Sequence, residues 1–257
     1  GPSPFENFNQ VFIKYCSSDK WVGTATDVVV TGTHPLTQAP LTYRVNFLGS
    51  RIIDTVLSQL RRTSGQPAVY TLSPAPTAMP DLDAAEQVVL AGGSGGGNGT
   101  AQNLDRVAAL LKAGNTRCAD GTCPEVRGLI DSSFTPPQES LDFSHTDFCL
   151  ENGICTAEAA QRAQETSGSG KLWKPQWDQS CVDYHSPANA TWRCLDSTFV
   201  ASNHITTPFF VRMGLIDENI GPQLVDGKFA LPGKGPMTMA DFALTVRANL
   251  AALADIK

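Results

Sequence analysis

Residues 87–111 place the tightest constraint on the fold. The run QVVLA at 87–91 is apolar and rich in β-branched residues, as in a buried parallel strand. Gly92-Gly93-Ser94-Gly95-Gly96 follows at once, and Leu104, Val107, Ala108 and Leu111 then recur at helical spacing. A strand that becomes a helix through five small residues, with serine at the apex, fits G-x-S-x-G in the context a nucleophile elbow requires. The need is steric: small residues two before and two after the serine let strand and helix approach, and the hydroxyl stands clear above the sheet edge. The Gly95 N–H then points at a developing oxyanion, helped by the helix N-terminus. A phosphate-cradling loop fits poorly. Walker A needs a lysine after its last glycine, and no register between Gly92 and Gly99 gives G-x-G-x-x-G.

The rest of the chain supports an α/β reading. Residues 10–16, QVFIKYC, alternate apolar and polar and predict a strand. A short extended stretch from 41 leads into a helix with Ile53, Val56, Leu57 and Leu60 on one face. Prolines and a glycine make 63–83 mostly loop. Residues 126–131 and 208–217 predict two further strands, and Met239, Phe242, Val246, Leu250 and Leu253 mark a terminal helix. Alternating strands and helices, with glycine at the strand-to-helix turn, predict an α/β fold with a mainly parallel central sheet. Residues 134–200 are rich in Ser, Thr, Pro, Gln and Cys. They read as a disulfide-braced cap on a single domain spanning 1–257, with short helices such as 157–166 and a flexible SGSG at 167–170.

The formal charge of −6 argues against a nucleic-acid partner, which calls for a basic patch. No run of eighteen apolar residues is present to span a membrane. Six of seven cysteines fall between 118 and 194 in close pairs, which favours disulfides and an oxidising, extracellular compartment. Zinc is the rival reading, but it wants tight C-x-x-C pairs or nearby histidines, and only His145 and His185 lie close. Nearest-neighbour pairing gives Cys118–Cys123, Cys149–Cys155 and Cys181–Cys194, with Cys16 left over.

A serine hydrolase also needs an acid and a histidine. Asp131 and Asp217 both end predicted strands after Ser94, where sites form in α/β sheets; either also suits a turn or helix cap. The histidines are His34, His145, His185 and His204, and none follows Asp217. His204 precedes the last strand, whereas His145 and His185 sit in the cysteine-rich segment. Asp105 reads as a solvated helix face or a polar support. Asn189-Ala190-Thr191 is a surface sequon, whereas Thr100 of Asn98-Gly99-Thr100 reads as a helix-start residue.

Five stretches in order resemble the pectin acetylesterase family, including its Notum-type carboxylesterase branch. They are Phe8 to Gly23 (FNQVFIKYCSSDKWVG), Phe47 to Leu60, the serine motif to Asp105, Val126 to Ser133, and Thr207 to Glu218. The resemblance implies a secreted α/β-hydrolase-like serine esterase. Such an enzyme removes acetyl or other acyl groups from a polysaccharide, protein or polyester through an acyl-serine, without metal or organic cofactor. It implies Ser94 as nucleophile, Asp217 as triad acid and Gly95 as an oxyanion donor. Trp21 matches an aromatic near the acyl pocket; a surface-loop anchor is its other reading. The family also has a Gly-Gly-Gly-Trp-Cys strand end upstream and a triad histidine after the terminal helix. The expectation is a core lacking both, with Cys16 pairing into the upstream piece. His204 or His185 is the alternative base, and a non-catalytic acyl- or glycan-binding protein the alternative function.

Overall fold

The computed structural model describes residues 4–61, 69–70, 77–78, 81–225 and 229–256. Its centre is a parallel sheet of β5 (Gln87–Gly93), β6 (Glu125–Asp131) and β7 (Phe209–Arg212), in that spatial order. Gly93 pairs with Asp131, and Asp131 with Arg212, so the three strands end level with one another. Before the sheet come the hairpin β1 (Ala25–Thr33) and β2 (Pro40–Phe47), helix α1 (Gly49–Leu60), and two-residue strands β3 (Val69–Tyr70) and β4 (Thr77–Ala78). Helix α2 (Gly95–Lys112) connects β5 to a short α3 (Thr116–Ala119) and β6. Between β6 and β7 lie α4 (Asp147–Asn152), α5 (Ala157–Thr166), α6 (Ser169–Trp173), α7 (Gln179–His185) and α8 (Ser197–Asn203). After β7 come α9 (Gly221–Leu224), strands β8 (Ala230–Leu231) and β9 (Gly235–Pro236), and the terminal α10 (Met239–Ile256). The central strands are parallel as expected; the other ladders are antiparallel.

Helix α2 lies on the sheet because its apolar stripe is continuous: Leu104, Val107, Ala108 and Leu111 are all buried. Gly128 of β6 allows the close approach, since a Cβ there would meet Leu104 Cδ2 at 2.5 Å and Phe209 Cβ at 2.9 Å. A second apolar cluster gathers Leu141, Phe143, Trp192, Met237, Phe242 and Val246 between the 134–200 segment and α10. That segment enters both clusters, because Cys181, Cys194, Phe199 and Val200 belong to the sheet core. All three expected disulfides form, and Cys16 is an exposed thiol.

Three expectations need correction. Residues 10–16 alternate as a strand would, but no described strand pairs with them, and without a ladder partner they run as irregular chain. The strand predicted over 208–217 stops at Arg212. Its neighbour β6 ends opposite, at Asp131, and the chain turns there through Ser132 at φ +52°. The SGSG segment is built into the fold: α6 begins at Ser169, and a Cβ on Gly170 would lie 2.7 Å from Glu165 Cα.

Candidate active site

Ser94 sits between β5 and α2 with φ +52° and ψ −121°. A non-glycine residue in that region carries strain of about 1–3 kcal/mol and persists only if its surroundings fix it. Here backbone groups fix it. Ser94 N donates to Asp131 O at 3.0 Å, and Ser94 O accepts from Asn98 N at 3.1 Å and from Ser133 Oγ at 2.6 Å. Ser133 Oγ also lies 2.9 Å from Asp131 O, so the residues following β6 clasp the turn on both sides. The serine itself is exposed, at the C-terminal edge of the sheet.

The glycines of the motif are unequal. A Cβ on Gly92 would sit 2.2 Å from Gly96 O and 2.3 Å from Gly96 C, so strand and helix could not approach. A Cβ on Gly96 would come no nearer than 3.9 Å to Trp21 Nε1. The crowded positions on the helix side are instead Gly97, 2.0 Å from Ser133 Oγ, and Gly99, 2.6 Å from Trp21 Cδ1. The steric demand therefore falls two before the serine and three and five after it. Gly95 follows Ser94 as the first residue of α2, whose leading N–H groups have no partner within the helix.

A second strained loop covers this helix start. Ser18, Lys20 and Trp21 have φ of +51°, +52° and +65°. The buried carboxylate of Asp19 holds them, accepting from Ser17 Oγ at 2.5 Å and from the N–H groups of Trp21, Gly23 and Gly49 at 3.0, 3.1 and 2.7 Å. Asn103 of α2 donates through Nδ2 to Trp21 O at 3.1 Å and to Gly99 O at 2.8 Å, tying loop to helix. Trp21 is thus buried flush against the helix rather than standing on a surface tip. The Tyr15 ring lies 5.2 Å from Trp21, and its Cε1 is 3.4 Å from where a Gly95 Cβ would be. Burial pushes the Tyr15 hydroxyl above its ordinary range, partly offset by the Lys20 N–H donating to it. Tyr15, just before Cys16, therefore walls the side of the turn next to Ser94. Nothing in the composition marks Asp19 as a hub; the only local signal is an acid preceded by two serines, which also reads as a surface turn.

The two carboxylates differ. Asp131 Oδ2 accepts from Arg212 Nη1 at 3.0 Å, so that side chain serves an ion pair while its carbonyl anchors Ser94. Asp217 lies past β7 and caps the turn before α9, its Oδ1 accepting from Asn219 N at 2.9 Å and Ile220 N at 2.7 Å. His185 and His204 face each other, Nε2 to Nε2, at 3.2 Å. His204 comes before β7, hence at the sheet edge opposite Ser94, and neither ring hydrogen-bonds to the elbow. Asp105 proves to be a structural clamp. It accepts from Thr206 N, Thr206 Oγ1 and Thr207 N at 2.8–2.9 Å, fixing the start of β7 to α2. Burial alone would raise its pKa, but these bonds outweigh burial and hold the carboxyl below its ordinary value. Thr100 lies in the second turn of α2 rather than at its start, buried and donating to Gly96 O, whereas Asn189 is exposed. A cleft of about 660 Å³ lies within the 134–200 segment, lined by Ser140, Asp142, Glu158, Trp192 and Arg193 among others, and includes no residue of the elbow.

No protein-family model matches the chain. The palmitoleoyl-protein carboxylesterase notum2 of Xenopus laevis is 30% identical over 215 residues, covering 82% of this chain and 34% of that protein. The corresponding notum1a of Danio rerio is 36% identical over 214 residues, covering 82% and 33%. The solved structure of the Wnt deacylase Notum from Drosophila superposes with a TM-score of 0.53 at 23% identity, over 95% of this chain and 56% of that one. The chain thus spans about a third of the length of the curated relatives it matches. The parallel sheet with a serine at a left-handed strand–helix turn defines an α/β-hydrolase-like fold. Within that class, the chain belongs to the Notum-type carboxylesterase family.

Proposed function

We propose that this chain carries the nucleophilic half of a secreted serine carboxylesterase that cleaves an acyl ester through an acyl-serine. The observation behind this is Ser94: exposed, at the C-terminal edge of a parallel sheet, and held at φ +52° directly before the unpaired N–H groups of α2. Ser94 Oγ attacks the ester carbonyl. A histidine takes its proton and returns it to the leaving alcohol, and water then hydrolyses the acyl-serine. The Gly95 N–H receives the oxyanion, a contact worth about 10²–10³ in rate. Asp217 orients the histidine. Its capping bonds use Oδ1, which leaves Oδ2 for the imidazole N–H. Tyr15 and Trp21 form the apolar wall beside the acyl carbon. The relatives are named for removing palmitoleoyl groups from protein, so a fatty-acyl ester on an extracellular protein is the substrate class proposed. No helix among the described residues is long and apolar enough to cross a membrane.

One observation favours a second reading, acyl binding without turnover. None of His34, His145, His185 and His204 hydrogen-bonds to the elbow. A fluorophosphonate probe separates the two. Labelling of the wild-type protein that disappears in Ser94→Ala supports the esterase. A folded wild-type protein that takes no label supports the binding module and sinks the esterase proposal for this chain.

A further inference from the structure

The histidine pair stands apart from the elbow. His185 is the last residue of α7, and His204 follows α8. The Cys181–Cys194 disulfide clamps α7 to the turn Thr191–Leu195, and Ser180 Oγ reaches His204 O at 3.2 Å. Both rings are also packed in place. Phe199 lies 5.5 Å from the His185 ring and 5.6 Å from the His204 ring, and Tyr184 stands 4.9 and 5.9 Å from them. Neither ring can swing away without breaking this packing, so the Nε2–Nε2 separation of 3.2 Å is set by the fold.

A tetrahedral ion held at about 2.0–2.1 Å by two imidazoles separates their nitrogens by about 3.3–3.4 Å. The observed spacing is within a few tenths of an ångström of that. We propose that His185 and His204 form a transition-metal site, taking Zn²⁺ or Cu²⁺ through both Nε2 atoms, with water from the half-exposed His204 side completing the shell. Imidazole suits these ions. Without an ion, one ring must donate its Nε2–H to the other. On binding, that proton moves to Nδ1 of the same ring, so both lone pairs face the ion and no net proton is released. Arg193, whose charge opposes a cation at His185, is paired with Glu139 at 3.0 Å, and the carboxylate of Asp178 adds a favourable field at His204. The Cys181 sulfur also lies within 4.8 Å of a nitrogen of each ring, but it is bonded to Cys194 and supplies no thiolate. The site is independent of the esterase reading.

The experiment is Zn²⁺ titration by calorimetry on the oxidised protein in a Cys16→Ser background, which removes the free thiol. One ion per chain is expected. His185→Gln and His204→Gln each weaken binding at least tenfold, whereas His145→Gln leaves it unchanged. Cu²⁺ electron paramagnetic resonance on the same Cys16→Ser protein, which requires no histidine variant, shows coupling to two nitrogens. No stoichiometric Zn²⁺ binding, or binding that survives the loss of either histidine, reduces the pair to an imidazole–imidazole hydrogen bond and overturns the proposal.

Discussion

Two strained loops meet over the start of α2, and they are held by opposite means. The elbow at Gly92–Gly96 is kept by missing atoms: a Cβ on Gly92 would overlap the Gly96 backbone, and main-chain groups supply two of Ser94's three anchoring bonds. The loop at 17–23 is kept by one present group, the Asp19 carboxylate, which gathers three N–H groups and one hydroxyl. The first should fail when an atom is added, and the second when a charge is removed.

The largest effect belongs to Asp19→Ala. Three N–H groups lose their acceptor in a buried setting, at about 1–3 kcal/mol each when fully stranded, and partial relaxation leaves a net cost of about 4 kcal/mol. Urea unfolding measures it, and near-ultraviolet circular dichroism should show Trp21 loosened. A variant within about 1 kcal/mol of the wild type would remove Asp19 from its role as hub. Gly92→Ala comes next, at about 3 kcal/mol, because the clash is with backbone and has no flexible side chain to yield. It should also lose fluorophosphonate labelling even where it remains folded.

Asp105→Asn is smaller, about 1 kcal/mol, since the clamp is half exposed and solvent screens it. Asp105 also gives the comparison a pH axis. Its folded pKa lies below the unfolded value near 3.9, so its stabilisation is present above that pH. It is lost as pH falls through the folded value. Wild-type and Asp105→Asn unfolding midpoints should therefore converge as the pH drops below about 4, and midpoints that stay parallel would dismiss the clamp. The smallest effect is Gly96→Ala. With no neighbour nearer than 3.9 Å and a helical position, it should be neutral or stabilise by up to about 1 kcal/mol. If Gly96→Ala proved as damaging as Gly92→Ala, the unequal roles of the motif's glycines would be wrong.

The strand–turn–helix at 87–111 was legible because each signal is local: β-branched residues, then glycines, then a 3.6-residue apolar period. The disulfides were legible from spacing alone. Long-range contacts were not. Residues 10–16 carry strand periodicity, but pairing depends on a neighbour that periodicity cannot supply. The extended stretch from 41 is β2, but its partner β1 has no legible signal because the hairpin has no clear apolar face: Val29, Leu41 and Tyr43 are all exposed. At the candidate site, Ser94 announces itself through its motif. Asp19 and Asn103 do not, since the bonds that tie them to distant chain, to Gly49 N and Trp21 O, reach 30 and 82 residues away.

One bond at the elbow bears on how such a chain can drift. Ser94 hangs from Asp131 through a main-chain carbonyl, while the Asp131 side chain is committed to Arg212. Every amino acid carries that carbonyl. The letter at position 131 can therefore change, at the cost of an exposed ion pair and the Ser132 hydroxyl bond, without removing the carbonyl that holds the serine. Two sequences that disagree there can share the same geometry at Ser94, and the identity of that residue carries little information about whether the serine is in place.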